Sequence, residues 1–128
     1  MRLLLDTHAF LWWIADDERL SSRAAALISD GKNEVFFSAA SAWELVVKAG
    51  LGRVELPDPI ERFVPDQLER NGFQALPIEL RHALTISSLP SLHRDPFDRM
   101  LVAQAIAEGM TLVSGDRAMK GYPVHVEW

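Results

Sequence analysis

The stretch Met1-Arg2-Leu3-Leu4-Leu5-Asp6 opens the sequence and decides how the rest of it is interpreted. Three consecutive leucines with no polar residue between them predict a strand that is buried on both faces, as strands of parallel α/β sheets are. In such sheets, the residue that follows the carboxyl end of a strand faces the crevice where ligands bind. Asp6 is therefore predicted to lie where chemistry takes place.

Length and composition limit the class of protein. The 128 residues predict a single domain, residues 1–128, with a core of its own. Hydrophobic residues make up 48% and charged residues 24%, which is typical of a soluble globular protein. The sequence has no cysteine, so disulfides, thiolate chemistry and cysteine-based zinc sites are excluded. Asp6 and His8 interrupt the first apolar run before it reaches the length of a signal peptide, and we expect a cytoplasmic protein.

The charge balance argues against one broad mode of nucleic-acid binding. The formal net charge is −5 and the pI is about 5.3. The overall field therefore repels a polyanion. Any role on nucleic acid must rest on local basic residues or on a bound metal ion.

The remainder of the sequence alternates between helix and strand patterns. Further strands are predicted over residues 34–38, 73–78, 110–114 and 123–127. Helices are predicted over residues 8–15, 22–28, 39–49, 60–70, 79–88 and 96–108, the fourth of them bent or interrupted at Pro65. This alternation predicts one three-layer α/β domain around a mainly parallel sheet of four to five short strands.

Two adjacent tryptophans, Trp12 and Trp13, lie on the first predicted helix. Only one of two neighbouring rings is easily buried in a single core, so the other is available to a partner surface, where aromatic residues are enriched. A core large enough to bury both rings in part is an equally good interpretation.

Four carboxylates follow the predicted elements in a consistent way. Asp6 and Asp116 come directly after the first and fourth strands, and the carboxyl ends of neighbouring parallel strands meet at the same edge. Asp98 lies in the first turn of the helix that leads into the fourth strand, and such a helix starts at that edge. Glu44 follows the second strand by less than two helical turns and reaches the others if its polar face points inward.

Each acid also has a structural interpretation. Glu44 and Lys48 form an i,i+4 pair in the favoured orientation. Asp98 is an acid in the first turn, which the helix dipole favours, and Asp95 is best explained as the N-cap before Pro96. Asp116 follows a glycine and is compatible with a turn.

Taken together, the four acids require a counter-charge. Two unit charges 4 Å apart repel by roughly 4 kcal/mol even at an effective dielectric of about 20, so such a group holds either protons or a cation. A cluster of oxygen ligands favours Mg²⁺ or Mn²⁺, one or two ions. A water on such an ion is a nucleophile suited to phosphodiester hydrolysis.

The sequence resembles the PIN-domain ribonucleases, and its size and element order are closest to VapC-type toxins of bacterial toxin–antitoxin pairs. The resemblance spans the whole sequence and is carried by four short segments in order: Leu3-Leu4-Leu5-Asp6-Thr7, Ser41-Ala42-Trp43-Glu44, Asp98-Arg99-Met100-Leu101-Val102-Ala103-Gln104-Ala105 and Leu112-Val113-Ser114-Gly115-Asp116. It implies a PIN-like α/β/α sandwich and Mg²⁺- or Mn²⁺-dependent endonucleolytic cleavage of RNA. It also implies a homodimer that a cognate antitoxin holds inactive by placing its tail in the acidic groove.

The resemblance further assigns residues. Asp6, Glu44, Asp98 and Asp116 match the four family acids and are the predicted catalytic and metal-binding residues. The third acid is Asp98 rather than Asp95 because Ala103 and Ala105 fit the family helix pattern. Thr7 and Ser114 match positions where a hydroxyl supports the site. Apart from the resemblance, four basic residues lie within a few positions of the acids and are predicted to contact RNA phosphates: Lys48, Arg94, Arg99 and Arg117. The four histidines are scattered, and none is assigned a role.

Other protein classes share parts of this pattern. A haloacid-dehalogenase-like phosphatase also begins with an apolar strand that ends in aspartate, but it needs a second aspartate where this sequence has His8. A different metal-dependent phosphoesterase and a catalytically silent PIN-like binding module remain as alternatives. Loss of one or two acids would indicate the binding module, and all four acids are present.

Overall fold

The computed structural model describes residues 1–128 and contains one five-stranded sheet. All strand pairs are parallel, and the order across the sheet is β3-β2-β1-β4-β5. The strands are β1 (Arg2–Leu5), β2 (Glu34–Ser38), β3 (Gln74–Leu76), β4 (Thr111–Val113) and β5 (Val126–Glu127). The predicted sheet is confirmed, and it is wholly parallel.

Six helices cover the sheet. They are α1 (Thr7–Ile14), α2 (Ser22–Ser29), α3 (Ala39–Gly50), α4 (Ile60–Asn71), α5 (Leu80–Thr85) and α6 (Pro96–Glu108). Short 3₁₀ turns follow at Ile86–Ser88 and Arg117–Gly121. The predicted interruption of α4 at Pro65 is wrong, because the helix continues through this residue to Asn71. No helix is long and apolar enough to cross a membrane.

The central strand β1 explains the three layers. Leu3 and Leu5 pack into one apolar cluster with α1, α2 and α4, and Leu4 packs into a second cluster with α6. All three leucines are fully buried. Side chains alternate across a strand, so an uninterrupted apolar run places leucines on both faces and requires helices on both sides. The predicted α/β/α sandwich is confirmed.

The register brings the strand ends to one level. Leu5 pairs with Phe37 on one side and with Val113 on the other. Asp6, the residue that follows β1, donates its backbone N–H to the Val113 carbonyl at 3.0 Å. The segments that leave the ends of β1, β2 and β4 therefore start side by side along one edge of the sheet, where the predicted site lies.

Candidate active site

Asp6 is fixed where β1 meets α1. It is the N-cap of α1, and its side chain accepts a hydrogen bond from the Ala9 backbone N–H at 2.7 Å. Only 7% of the residue is exposed. Burial raises the pKa of Asp6, against the opposing effect of its hydrogen bonds to Ser114 and Ala9, and the charge of Glu44 raises it further. Asp6 is a buried acid whose charge the protein alone does not fully compensate.

Glu44 is held by a buried polar network on α3. Thr7 Oγ1 lies 2.6 Å from Glu44 Oε1 and 2.9 Å from Ser41 Oγ. Since the Thr7 hydroxyl has one proton and the carboxylate is an acceptor only, Thr7 donates to Glu44 and accepts from Ser41. Lys48 forms the predicted ion pair with the other carboxylate oxygen. The predicted polar face of α3 therefore points into the protein, and its glutamate is 3% exposed.

Asp98 lies in the first turn of α6, next to the edge of the sheet. Burial raises its pKa from 3.8 to about 6, and the charges of Asp95, Glu44 and Asp6 act in the same direction. The acids that raise the pKa of Asp98 lie on the segments that follow β1 and β2 and at the start of α6. Asp98 is the acid with the clearest deficit of positive charge.

Asp95 has a different environment from Asp98. It is the N-cap of α6, as predicted, and its Oδ1 accepts from the backbone N–H groups of Phe97 at 2.8 Å and Asp98 at 3.2 Å. Its side chain is therefore committed to the start of the helix.

Asp116 forms a hydrogen bond with His93, a residue for which the sequence predicted no role. His93 Nε2 lies 2.7 Å from Asp116 Oδ2, and His93 Nδ1 lies 2.8 Å from the Tyr122 hydroxyl. The hydrogen bond from His93 lowers the pKa of Asp116. Ligand atoms of His93, Asp98 and Asp116 all lie within 4.8 Å of one another. A residue of the loop before α6 thus completes the acidic cluster.

The donor set fits a hard divalent cation. Ligand atoms of Asp98 and Asp116 lie within 4.8 Å of each other, Asp6 and Asp116 share the wall of one cavity, and Glu44 bonds to Thr7, which follows Asp6. The basic groups in direct contact with these carboxylates are Lys48 on Glu44 and His93 on Asp116. Burial and the neighbouring acids raise the pKa values of Asp6 and Asp98, so their ionised forms are disfavoured in the metal-free protein. Carboxylate oxygens are the ligands that Mg²⁺ and Mn²⁺ prefer. A bound cation would supply the missing positive charge.

The other predicted site residues fall into two groups. The hydroxyls of Thr7 and Ser114 are buried beside Glu44 and Asp6, respectively. Arg99 donates to the carbonyls of Pro90 and Ile86, so it anchors the loop before α6. Arg94 and Arg117 are exposed near the cluster, next in sequence to His93 and Asp116. Contact of these arginines and of Lys48 with RNA stays a prediction.

Comparison with known proteins agrees with this architecture. The PIN domain family model matches residues 3–124. Ribonuclease VapC22 of Mycobacterium tuberculosis (strain ATCC 25618 / H37Rv) is 33% identical over 121 residues, which cover 94% of this chain and 91% of the relative. Ribonuclease VapC16 of the same strain is 37% identical over 57 residues, which cover 44% of this chain and 40% of that protein.

Solved structures share the fold at low sequence identity. A chain in the crystal structure of VapBC2 from Rickettsia felis bound to a promoter DNA fragment superposes with a TM-score of 0.73 at 18% identity, covering 100% of this chain and 99% of the other. A chain of DNA-bound VapBC from Salmonella typhimurium gives 0.69 at 16% identity, covering 99% and 97%. The family model spans nearly the whole sequence and the VapC22 match covers 94% of it, so this chain belongs to the PIN-domain family and to its VapC group.

Proposed function

We propose that this protein is a metal-dependent endoribonuclease and the toxin of a toxin–antitoxin pair that acts in the cytoplasm. The observation that carries the proposal is the placing of the acids at one sheet edge: ligand atoms of Asp98 and Asp116 lie within 4.8 Å of each other with His93, Asp6 and Asp116 share one cavity wall, and Glu44 bonds to Thr7, the residue after Asp6. The names of its relatives, Ribonuclease VapC22 and VapC16, support RNA as the substrate.

The four acids would hold one or two Mg²⁺ or Mn²⁺ ions. When bound, such an ion supplies a water of lowered pKa and positive charge next to the scissile phosphate. Asp6 is prevented from rotating by its cap hydrogen bond to Ala9, and Glu44 is oriented by Thr7 and Lys48. This places the ligand atoms before the substrate arrives, so little reorganisation is needed during the reaction.

His93 is placed to orient Asp116. Its ring stacks on Tyr122, with the ring centroids 5.5 Å apart, and accepts or donates a hydrogen bond at each nitrogen. Since Asp116 is the most exposed of the four acids, with 43% of its side chain accessible, this contact limits its rotation. Residues that form hydrogen bonds with a metal ligand commonly fix its orientation in this way.

The experiment that tests the proposal is cleavage of a mixed RNA pool by the purified protein in Mg²⁺, in Mn²⁺ and in EDTA. An Asp6→Asn variant is purified in parallel to exclude a contaminating nuclease. We expect cleavage with either ion, none in EDTA and none by the variant. A folded protein that cuts no RNA in any arm would contradict the nuclease and favour a PIN-like binding module.

The hydrogen bond from Thr7 gives a first prediction about the site. Thr7→Val preserves shape but leaves Glu44 Oε1 without its donor, so we expect cleavage to fall about tenfold, as when a partner of a metal ligand is removed. The measurement is kcat/KM on one cleaved RNA. Thr85→Val is the matched control, because the Thr85 hydroxyl bonds only the Arg81 carbonyl on the exposed side of α5. Equal rates for both variants would show that Thr7 has no such role.

A homodimer and an antitoxin complete the proposal. Helix α3 exposes an apolar surface made of Trp43, Val46, Val47 and Leu51, which are 57%, 52%, 39% and 62% exposed. Exposed apolar patches of this kind mark protein interfaces. A groove of about 770 Å³ beside the acidic site is lined by Leu45, Leu56 and Phe63 as well as Lys48, and at one end by His8, Trp12 and Arg19, which also line a second, smaller cavity. The groove suits an amphipathic segment of an antitoxin.

We expect a dimer in solution that the α3 surface stabilises. Val46→Lys places a charge on that surface, and analytical ultracentrifugation should then show monomer at concentrations where the wild type is dimeric. Glu69→Lys, on the exposed side of α4, is the control for added charge. A wild-type monomer at all concentrations would refute the dimer.

Co-purification with the product of the neighbouring reading frame tests the antitoxin.

A further inference from the structure

A second cavity adjoins the acidic cluster and is not explained by metal binding. It has a volume of about 280 Å³, and Asp6 and Asp116 form part of its wall. The rest of the wall consists of His8, Trp12, Arg19, Gly115 and Trp128. Its size is at the lower limit of small-molecule pockets, which suits a single planar ring rather than an extended ligand.

Three of the residues that line this cavity carry aromatic rings. The ring centroids of Trp12 and Trp128 lie 5.8 Å apart with the planes inclined by 59°, and His8 lies 5.5 Å from Trp12. Trp13 packs into the core and donates to Asn71 at 2.9 Å, whereas Trp12 is not part of that core. The two adjacent tryptophans therefore differ: Trp13 packs against the core, and Trp12 lies in the wall of the cavity with His8, Arg19 and Trp128.

A positively charged side chain, Arg19, lies beside these rings. The Arg19 guanidinium lies over the Trp12 ring, 5.0 Å from its centroid, and Asp17 holds it by an ion pair of 2.7 Å. Since 67% of the Arg19 side chain is exposed, its remaining N–H groups are free to meet a ligand. In a protein of net charge −5, this arginine is a local positive group beside two carboxylates.

The position of Trp128 depends on Gly115. A Cβ atom added to Gly115 would lie 2.7 Å from Cε2 and 2.9 Å from Cζ2 of Trp128. The indole therefore lies directly against the backbone between Ser114 and Asp116. This contact places an aromatic face next to an acid of the site, so a group stacked there is adjacent to the cleaved phosphate.

We propose that this cavity is a nucleobase subsite, which stacks one base of the RNA next to the scissile phosphate and sets the sequence preference of cleavage. The proposal rests on the proposed ribonuclease function. Proteins recognise single-stranded RNA by stacking its bases on aromatic rings and arginine planes, and here both surround a cavity that shares its wall with the acids. A base also delivers its own phosphate to the site, as an unrelated planar ligand would not.

The test compares cut sites in a randomised RNA pool, read by sequencing the products. Trp12→Ala should lower kcat/KM by about 5- to 150-fold, the effect of losing one stacked base, and should flatten the base preference at one position beside the cut. Trp12→Phe should retain the preference. Arg19→Ala replaces an exposed side chain and should not disturb folding, and it should also weaken the base preference. Leu80→Ala is the control, because that side chain is exposed on α5 and does not line the cavity.

A second measurement does not depend on cleavage. RNA containing 5-iodouridine is photocrosslinked to the wild-type protein in Ca²⁺, and the modified peptides are mapped by mass spectrometry. Crosslinks at Trp12 or Trp128 support the subsite even if the wild type cuts no RNA, in which case only the nuclease proposal fails. Crosslinks confined to other residues, no crosslinks, or an active Trp12→Ala variant with the wild-type cut profile would overturn the subsite.

Discussion

Replacement of Asp98 by asparagine is expected to abolish cleavage and to stabilise the metal-free protein. The substitution removes one negative ligand of the proposed cation, and a loss of several kcal/mol of electrostatic stabilisation corresponds to about a thousandfold in kcat/KM. The same change removes a carboxylate that burial and three neighbouring acids disfavour in its ionised form. Activity and stability should therefore change in opposite directions.

The gain in stability has a definite pH dependence. The pKa of Asp98 is raised from 3.8 to about 6 in the folded protein. Below about pH 4 the carboxyl is protonated in both folded and unfolded states, so the wild type bears no penalty there. As the pH rises from about 4 to 6 the unfolded state ionises first, and the metal-free wild type loses stability that the variant keeps. Because water screens the partly exposed carboxyl, we expect a gain of about 1 kcal/mol near pH 7.

Asp95→Asn is the matched control for this experiment. Asparagine caps helices about as well as aspartate, so the hydrogen bonds to Phe97 and Asp98 are preserved. We expect cleavage within a few-fold of the wild type. Urea denaturation in EDTA and kcat/KM in Mg²⁺ are measured for both variants. A thousandfold loss in Asp95→Asn with an active Asp98→Asn would reverse the assignment of the third acid.

The positions of the candidate acids in the fold were predictable from the sequence because the strand ends and the start of α6 were predictable, whereas their catalytic roles stay a proposal. Leu3-Leu4-Leu5 requires a central strand with both faces buried, and parallel pairing of β1 with β4 then places Asp6 and Asp116 on one edge. The cap signal of Asp95 and Pro96 fixed the start of α6 and hence the location of Asp98. These are local rules, each of which acts over a few residues.

Residues that depend on the path of loops could not be predicted in this way. His93 reaches Asp116 because residues 89–95 turn back over the sheet edge, and no periodicity in that stretch indicates the direction of its ring. The sequence also could not predict which of Trp12 and Trp13 is buried. Trp13 packs against the core because Asn71 of α4 lies where it can accept a hydrogen bond from the indole N–H. Trp128 is placed by a contact with Gly115, 13 positions away along the sequence, that no local motif records.

Divalent metal is expected to bind the wild-type protein more weakly as the pH falls. A cation binds the ionised form of Asp98, and with a pKa of about 6 this form is depleted about tenfold for each unit below that value. Burial also raises the pKa of Asp6, so that acid adds to the loss. The affinity for Mn²⁺ should therefore fall at least tenfold between about pH 7.5 and pH 5.

Isothermal titration with Mn²⁺ measures this dependence without any substrate, and two buffers of different ionisation enthalpy report the protons released. We expect release near pH 6 by the wild type and less by Asp98→Asn, which lacks that proton. Because a ligand that binds the folded state stabilises it, Mn²⁺ should also raise the unfolding temperature most at neutral pH. Removal of the ion by EDTA should then eliminate cleavage altogether. An affinity that is constant from about pH 5 to 7.5 would show that neither raised pKa belongs to a metal ligand, and the ion would have to bind through Glu44 and Asp116 alone.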